Sequence, residues 1–124
     1  MTAKTMNPGT GSFLKSEANG SLSREAIVLA SGVGLVLAGT VLGKVTAGGK
    51  YKPYDNDASD GTEVAAAILL AEADATSSDV AAVGIVREAE VWKSRLIWGA
   101  GVTTTGEKTA AYADLAAKVV IARD

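Results

Sequence analysis

The sequence predicts a mainly β domain that carries one α-helix near its C-terminus and an extended arm at its N-terminus. Hydrophobic residues make up 48% of the 124 residues, but aromatic residues make up only 5%, and the chain contains 14 glycines. Small apolar side chains and frequent glycines suit short strands and tight turns better than a thick helical core. Short β-branched and aliphatic runs alternate with Gly, Ser and Asp along most of the chain, as successive strands do. The length corresponds to a single domain.

Residues 1–23 make up the predicted arm. They are rich in Thr, Ser, Gly, Asn and Lys, and Phe13 and Leu14 form their only apolar pair. Such a composition buries too little surface to offset the entropy that ordering costs. We therefore expect an arm that is flexible in isolation, followed by a β-rich domain over residues 24–124 that folds without it.

The domain opens with two strands, over residues 25–30 and 35–37, that flank a Ser-Gly-Val-Gly bend. A hairpin follows, and the rest of the domain is arranged around it. Its first strand covers residues 38–45, its turn is the Gly-Gly pair at 48–49, and a short aromatic strand from Tyr51 is stopped by a proline. Val, Leu, Thr and Tyr favour a pleated surface, and paired glycines supply the positive φ that a hairpin turn needs.

Residues 63–73 leave two interpretations open. Alanine, leucine and glutamate favour a helix of about three turns, whereas residues 65–70 also suit a buried strand entered from a Gly turn. We favour the strand because strands are predicted on both sides of it. In that case residues 74–79 form a plain turn.

Two further strands are predicted over residues 80–87 and 88–98. The second contains Trp92 and Trp98, which lie six positions apart and project from the same face if the strand is regular. Tryptophan is enriched at protein interfaces as well as in cores. We therefore treat both as candidates for a subunit interface, with core packing as the open alternative.

The one predicted helix covers the alanine-rich residues 107–117. Thr105 is its candidate N-cap, and Glu107 and Lys108 lie near its first turn. Residues 119–121 are β-branched and predict a closing strand.

Several kinds of chemistry are excluded by what the chain lacks. It contains no cysteine and no histidine, which excludes disulfides, Cys/His zinc sites and Ser-His-Asp triads. The net charge is −2 and no basic block is present, so we expect no nucleic-acid partner. Residues 39–45 approach a phosphate-binding loop but lack one spacer residue and have Val45 where Ser or Thr must hold magnesium. We expect no enzymatic activity, no cofactor and no metal.

The acidic turn over residues 55–61 is the one place where an ion site stays open. An EF-hand loop that begins at Asp55 needs Gly at its sixth position and Glu at its twelfth, where this chain has Asp60 and Ala66. We therefore favour a solvated, Asx-rich turn that ends in glycine.

Residues 26–43 carry no charge and reach the lower limit of a membrane-spanning helix. Four glycines break the stretch, and no aromatic belt flanks it. We therefore expect strands and no membrane partner, with a single-pass membrane protein as an alternative.

A series of glycines and aliphatic residues runs in a fixed order through the first half of the domain. It comprises residues 27–32 (Ile-Val-Leu-Ala-Ser-Gly), 37–45 (Leu-Ala-Gly-Thr-Val-Leu-Gly-Lys-Val), 49–51 (Gly-Lys-Tyr), 60–61 (Asp-Gly) and 67–69 (Ala-Ile-Leu). In this order the chain resembles the head decoration proteins of tailed phages, the family of phage lambda head decoration protein D.

The resemblance implies a small β-rich barrel or tulip-like domain that is made in the host cytoplasm and ends on the exterior of the capsid. It implies a homotrimer at local three-fold positions of the expanded head, with the major capsid protein as its partner. It also implies that the arm adds a strand to a capsid sheet. Met6, Phe13 and Leu14 are then the candidate apolar anchors of the arm. The alternative within structural proteins is a tail or fibre component of the virion.

Overall fold

The computed structural model describes residues 8–20 and 22–124, and the fold over these residues is mainly β, as predicted. The strands are β1 Leu14–Glu17, β2 Arg24–Leu29, β3 Gly34–Val36, β4 Val41–Lys44, β5 Tyr51–Pro53, β6 Ala65–Leu69, β7 Ala73–Ala75, β8 Val80–Ile85, β9 Ala89–Trp92 and β10 Val120–Arg123. A 3-10 helix covers Lys93–Arg95, and the α-helix α1 covers Thr105–Ala116. The single helix near the C-terminus is thus confirmed.

Five strands close into a barrel in the order β2-β5-β4-β6-β8. A three-stranded sheet, β1-β9-β10, and a two-stranded sheet, β3-β7, complete the architecture. One core lies inside the barrel and includes the fully buried Leu29, Leu42 and Leu69. A second core, which includes Leu115 and Val120, joins the barrel to α1 and the three-stranded sheet. None of the helices in the described ranges is long and apolar enough to cross a membrane.

The predicted central hairpin is present. Strands β4 and β5 are antiparallel, with Lys44 opposite Tyr51, and Gly48 and Gly49 in the turn have φ values of 92° and 74°. Both values lie in the left-handed region, which glycine enters without the penalty that a Cβ brings. The two turn glycines and the β-forming residues on either side of them were therefore enough to predict the β4–β5 hairpin.

Strand β6 resolves the ambiguity over residues 63–73 in favour of the strand. Four of its five residues are buried, so both faces are covered: one side faces the barrel interior and the other faces α1. A strand buried on both faces lacks the polar alternation of a surface strand. Asp114 of α1 accepts a hydrogen bond from the backbone N–H of Ala65 at 3.0 Å, which ties the helix to the start of this strand.

Three local predictions are wrong. Asp74 lies in β7, where it pairs with Leu35 of β3, and not in a plain turn. The strand predicted over residues 88–98 ends at Trp92, because the 3-10 helix follows directly. The N-cap of α1 is Thr104 and not Thr105: Thr104 has extended backbone angles, and its hydroxyl accepts a hydrogen bond from the backbone N–H of Glu107 at 3.2 Å.

Candidate interaction surfaces

The predicted arm is shorter than expected, because its second half belongs to the body of the protein. Phe13 is fully buried in the core that includes Val91, and the half-buried Leu14 packs against that core. The backbone N–H of Gly11 donates to the carbonyl of Leu70 at 2.9 Å. A boundary at residue 23 is therefore too late, and Met6 lies outside the described residues.

Strand β1 secures this segment to the body. It runs antiparallel to β9, with Leu14 opposite Val91 and Glu17 opposite Ala89. Arg24 lies 2.6 Å from the Glu17 carboxylate, and its hydrogen bond is the main cause that lowers the pKa of Glu17. This ion pair closes the loop between β1 and β2. Phe13 is thus a core residue of this chain, and its side chain is not exposed to a partner.

The structure does not bring the two tryptophans onto one face. Trp92 ends β9 and is half-buried, with the Lys15 Nζ atom 5.3 Å from its ring centroid. Trp98 packs edge-on between Tyr54 and Tyr112, whose ring centroids lie 6.3 and 5.6 Å from its own. Trp98 therefore holds α1 against the barrel, and an interface role stays a prediction for both half-buried tryptophans.

An exposed apolar face on the barrel was missed from the sequence. On β2 and β8, Ala26 lies opposite Val83 and Val28 lies opposite Ala81, and all four side chains are exposed. The two valines are each 39% exposed although they are β-branched and apolar. Apolar residues occur on both faces of each strand, and this signal was available in the sequence because Ile27, which is buried, alternates with the exposed Ala26 and Val28. A contiguous apolar patch on a surface is typical of an interaction site.

The acidic turn is built from Asx hydrogen bonds, as predicted. The Asp55 carboxylate accepts from the backbone N–H of Asp57 at 3.0 Å. The Asp60 carboxylate accepts from the N–H and the hydroxyl of Thr62 at 3.1 and 2.5 Å, and it lies 3.4 Å from Lys52 Nζ. Over the residues that the structure describes, no group of three His, Cys, Asp or Glu side chains is arranged to hold a metal.

These hydrogen bonds, chiefly from the Thr62 hydroxyl, lower the pKa of Asp60 from 3.8 to about 2. Because the folded state favours the ionised carboxyl, Asp60 stabilises the fold above its unfolded pKa, and this stabilisation is lost as the pH falls through about 2. We expect the melting temperature of Asp60→Asn to lie below that of the wild type at neutral pH, with the difference disappearing near pH 2. Thermal unfolding followed by circular dichroism across this range measures it.

Asp57→Asn is the matched control, since the Asp57 carboxylate makes no hydrogen bond to another described residue. If the difference in melting temperature between Asp60→Asn and the wild type stays constant from neutral pH to about pH 2, the ionised Asp60 carboxylate does not stabilise the fold.

A small β-barrel with an exposed apolar face on β2 and β8 is the class of molecule that these features define. The family model of bacteriophage lambda head decoration protein D matches residues 3–120 of the chain. The match covers nearly all of the 124 residues, and the chain therefore belongs to this family. A search of curated proteins finds no match. Family membership confirms the resemblance in the sequence and supports a structural role in capsid decoration on the exterior of a phage head.

Proposed function

We propose that this chain is a cementing protein that binds the outer surface of the expanded phage head as homotrimers at local three-fold positions. The family match over residues 3–120 carries this proposal. Binding only the expanded lattice stabilises that lattice by linkage. Because one trimer contacts several capsid subunits at once, modest individual contacts combine through effective concentration.

The N-terminal arm is the part of the chain that pairs with the major capsid protein. Since the described body begins its core contacts at Gly11, the arm in this proposal is the segment before that residue. Met6 is retained as its apolar anchor. Phe13 and Leu14 pack within the body, so in this proposal neither side chain reaches the capsid.

Co-sedimentation with undecorated heads tests the function. We expect the protein to bind expanded heads at three copies per local three-fold position and to leave unexpanded heads bare. Decorated heads then withstand heating or chelation that disrupts bare heads. A protein that stays in the supernatant with expanded heads overturns the proposal.

The apolar face of β2 and β8 is the surface on which we expect the subunits of the trimer to meet. Replacing Val28 and Val83 together with Asp buries unpaired charges if this face is covered. We expect an association loss of about 3 kcal/mol, on the order of a hundredfold, and therefore dissociation to monomers at a concentration where the wild type stays trimeric. Light scattering coupled to size exclusion measures the mass.

Val64→Asp is the matched control, because Val64 is 48% exposed and precedes β6, outside this face. Trp92→Ala, measured in parallel, tests the tryptophan retained from the sequence. If the double variant remains a trimer while Trp92→Ala dissociates, the subunits meet around Trp92 and not on the β2–β8 face.

A further inference from the structure

A cavity of about 350 Å³ opens at one end of the barrel. Strands β2 and β5 pair only at Leu29 and Tyr51, so this seam of the closed barrel is short. The lining of the cavity comes from four strands, β2, β4, β5 and β6, from the segment after β8 and from the segment after α1. The lining residues are Glu25, Lys44, Tyr51, Ala66, Val86, Arg87 and Lys118. Its volume lies within the range of small-molecule sites, roughly 300–1,000 Å³.

The lining carries more positive than negative charge. Three of its residues are cationic, and Glu25 is the one acid among them. Arg87 is already engaged, since one of its nitrogens lies 3.1 Å from the Glu25 carboxylate and another donates to the carbonyl of Leu22 at 2.8 Å. Lys44 and Lys118 have no carboxylate partner among the described residues. The cavity therefore has a surplus of two positive charges in a chain whose net charge is −2.

Tyr51 adds a neutral donor beside these cations. The residue as a whole is 8% exposed, and its hydroxyl, which makes no hydrogen bond to another described residue, is not among the buried atoms and is therefore open to the cavity. Burial, followed by the nearby charge of Glu25, raises the pKa of Tyr51, so its hydroxyl keeps its proton at neutral pH. Lys44 Nζ lies 6.0 Å from the centroid of the Tyr51 ring, which places the amine of the lysine on the same side of the barrel as the phenol.

Lys44 and Lys118 are exposed to solvent, and with Arg87 and the phenol of Tyr51 they converge on one cavity. Convergent donors of this kind suit an acceptor ligand. We propose that this cavity binds a carboxylate between Lys44 and Lys118, with Arg87 as a third cation held in place by Glu25. A surplus of two charges suits one or two carboxylate groups, and the apolar Ala66 and Val86 suit a short aliphatic stem. The carboxylate comes either from an acidic side chain of a capsid subunit, which rests on the proposed function, or from a free dicarboxylate, which does not.

The first experiment uses the isolated full-length protein and succinate. Chemical shifts of backbone amides, followed at constant ionic strength with chloride as the balancing anion, should change saturably at Lys44, Tyr51 and Lys118. We expect Lys44→Gln with Lys118→Gln to weaken succinate binding about tenfold or more, since charge-assisted hydrogen bonds are lost. Lys50→Gln is the matched control, because Lys50 pairs with Asp79 at 2.6 Å outside the cavity.

The second experiment measures binding of the same variants to expanded heads. If a capsid side chain supplies the carboxylate, the double lysine variant loses head affinity about tenfold while Lys50→Gln does not, and succinate competes with the wild type. If head binding is unchanged but succinate binds in the cavity, the ligand is a free dicarboxylate. The proposal is overturned if succinate does not bind in the cavity and the double variant binds heads like the wild type. A wild type that binds succinate but no heads refutes the decoration function and leaves the cavity assignment standing.

Discussion

Deleting residues 1–7 is expected to abolish stable binding to expanded phage heads while leaving the melting temperature close to that of the full chain. The described part of the chain has its own attachment to the body without this segment, because Gly11 donates to Leu70 and Phe13 is fully buried. The deletion removes Met6 and the main-chain groups that would pair with a capsid strand. We expect at least a hundredfold loss of affinity per trimer, because three arms are lost at once. Co-sedimentation over a range of protein concentrations measures it.

A longer deletion separates the arm from the fold. Removing residues 1–22 was expected from the sequence to leave a folded domain, but this deletion takes away β1 and the buried Phe13. A buried Phe replaced by Ala typically costs about 3–5 kcal/mol, a large share of the roughly 5–15 kcal/mol that stabilises a small domain. We therefore expect the longer deletion to unfold the protein.

Full-length Phe13→Ala is the matched control for the arm. It should be markedly less stable than the wild type but should bind heads normally below its melting temperature. If the protein without residues 1–7 occupies heads as fully as the full chain, the arm has no role in docking.

Gly43→Ala is expected to destabilise the fold by about 3 kcal/mol or more. A Cβ at Gly43 would lie 2.5 Å from the Cα atom and 2.7 Å from the carbonyl oxygen of Thr62. The Thr62 backbone has little freedom to move, because its N–H donates to Asp60 and its carbonyl accepts from Asp55 at 3.0 Å. The added methyl group therefore meets a fixed backbone in the middle of the barrel wall. Chemical denaturation followed by tryptophan fluorescence measures the loss.

Gly106→Ala is the matched control, since the same chemical change falls at an open position. The nearest atom to a Cβ there is the Thr104 hydroxyl oxygen at 4.0 Å, and the position lies in the first turn of α1. Alanine is a better helix former than glycine by about 0.8–1 kcal/mol, so this variant should be as stable as the wild type or slightly more stable. If Gly43→Ala and Gly106→Ala both have the same denaturation midpoint as the wild type, the close approach of β4 to the Thr62 backbone does not require glycine at position 43.

Elements with local causes were predictable from particular residues. The hairpin at β4 and β5 follows from Gly48 and Gly49, and the bend after β2 follows from Gly32 and Gly34, which have φ values of 93° and 81°. The family also followed from the order of residues in the first half, which includes Gly43, where a Cβ would meet the Thr62 backbone at 2.5 Å.

The sites were less predictable, since they depend on which segments meet. Trp92 and Trp98 look equivalent in the sequence, but a 3-10 helix of three residues separates them and turns Trp98 toward Tyr112. The cavity that includes Lys44 and Lys118 joins residues that are far apart in the chain. No periodicity or spacing links such residues, because only the pairing of distant strands brings them together.

The sequence by itself determined the mainly β class, the single late helix, the central hairpin and the family. Only the tertiary structure decided where the arm ends, because the composition before Phe13 and after it is equally polar. Phe13 becomes a core residue solely because β9 provides a strand for β1, with the backbone N–H of Trp92 donating to the Phe13 carbonyl at 2.9 Å. A polar segment that cannot fold alone is ordered by a sheet that already exists, since the rest of the core supplies the buried surface that the segment lacks.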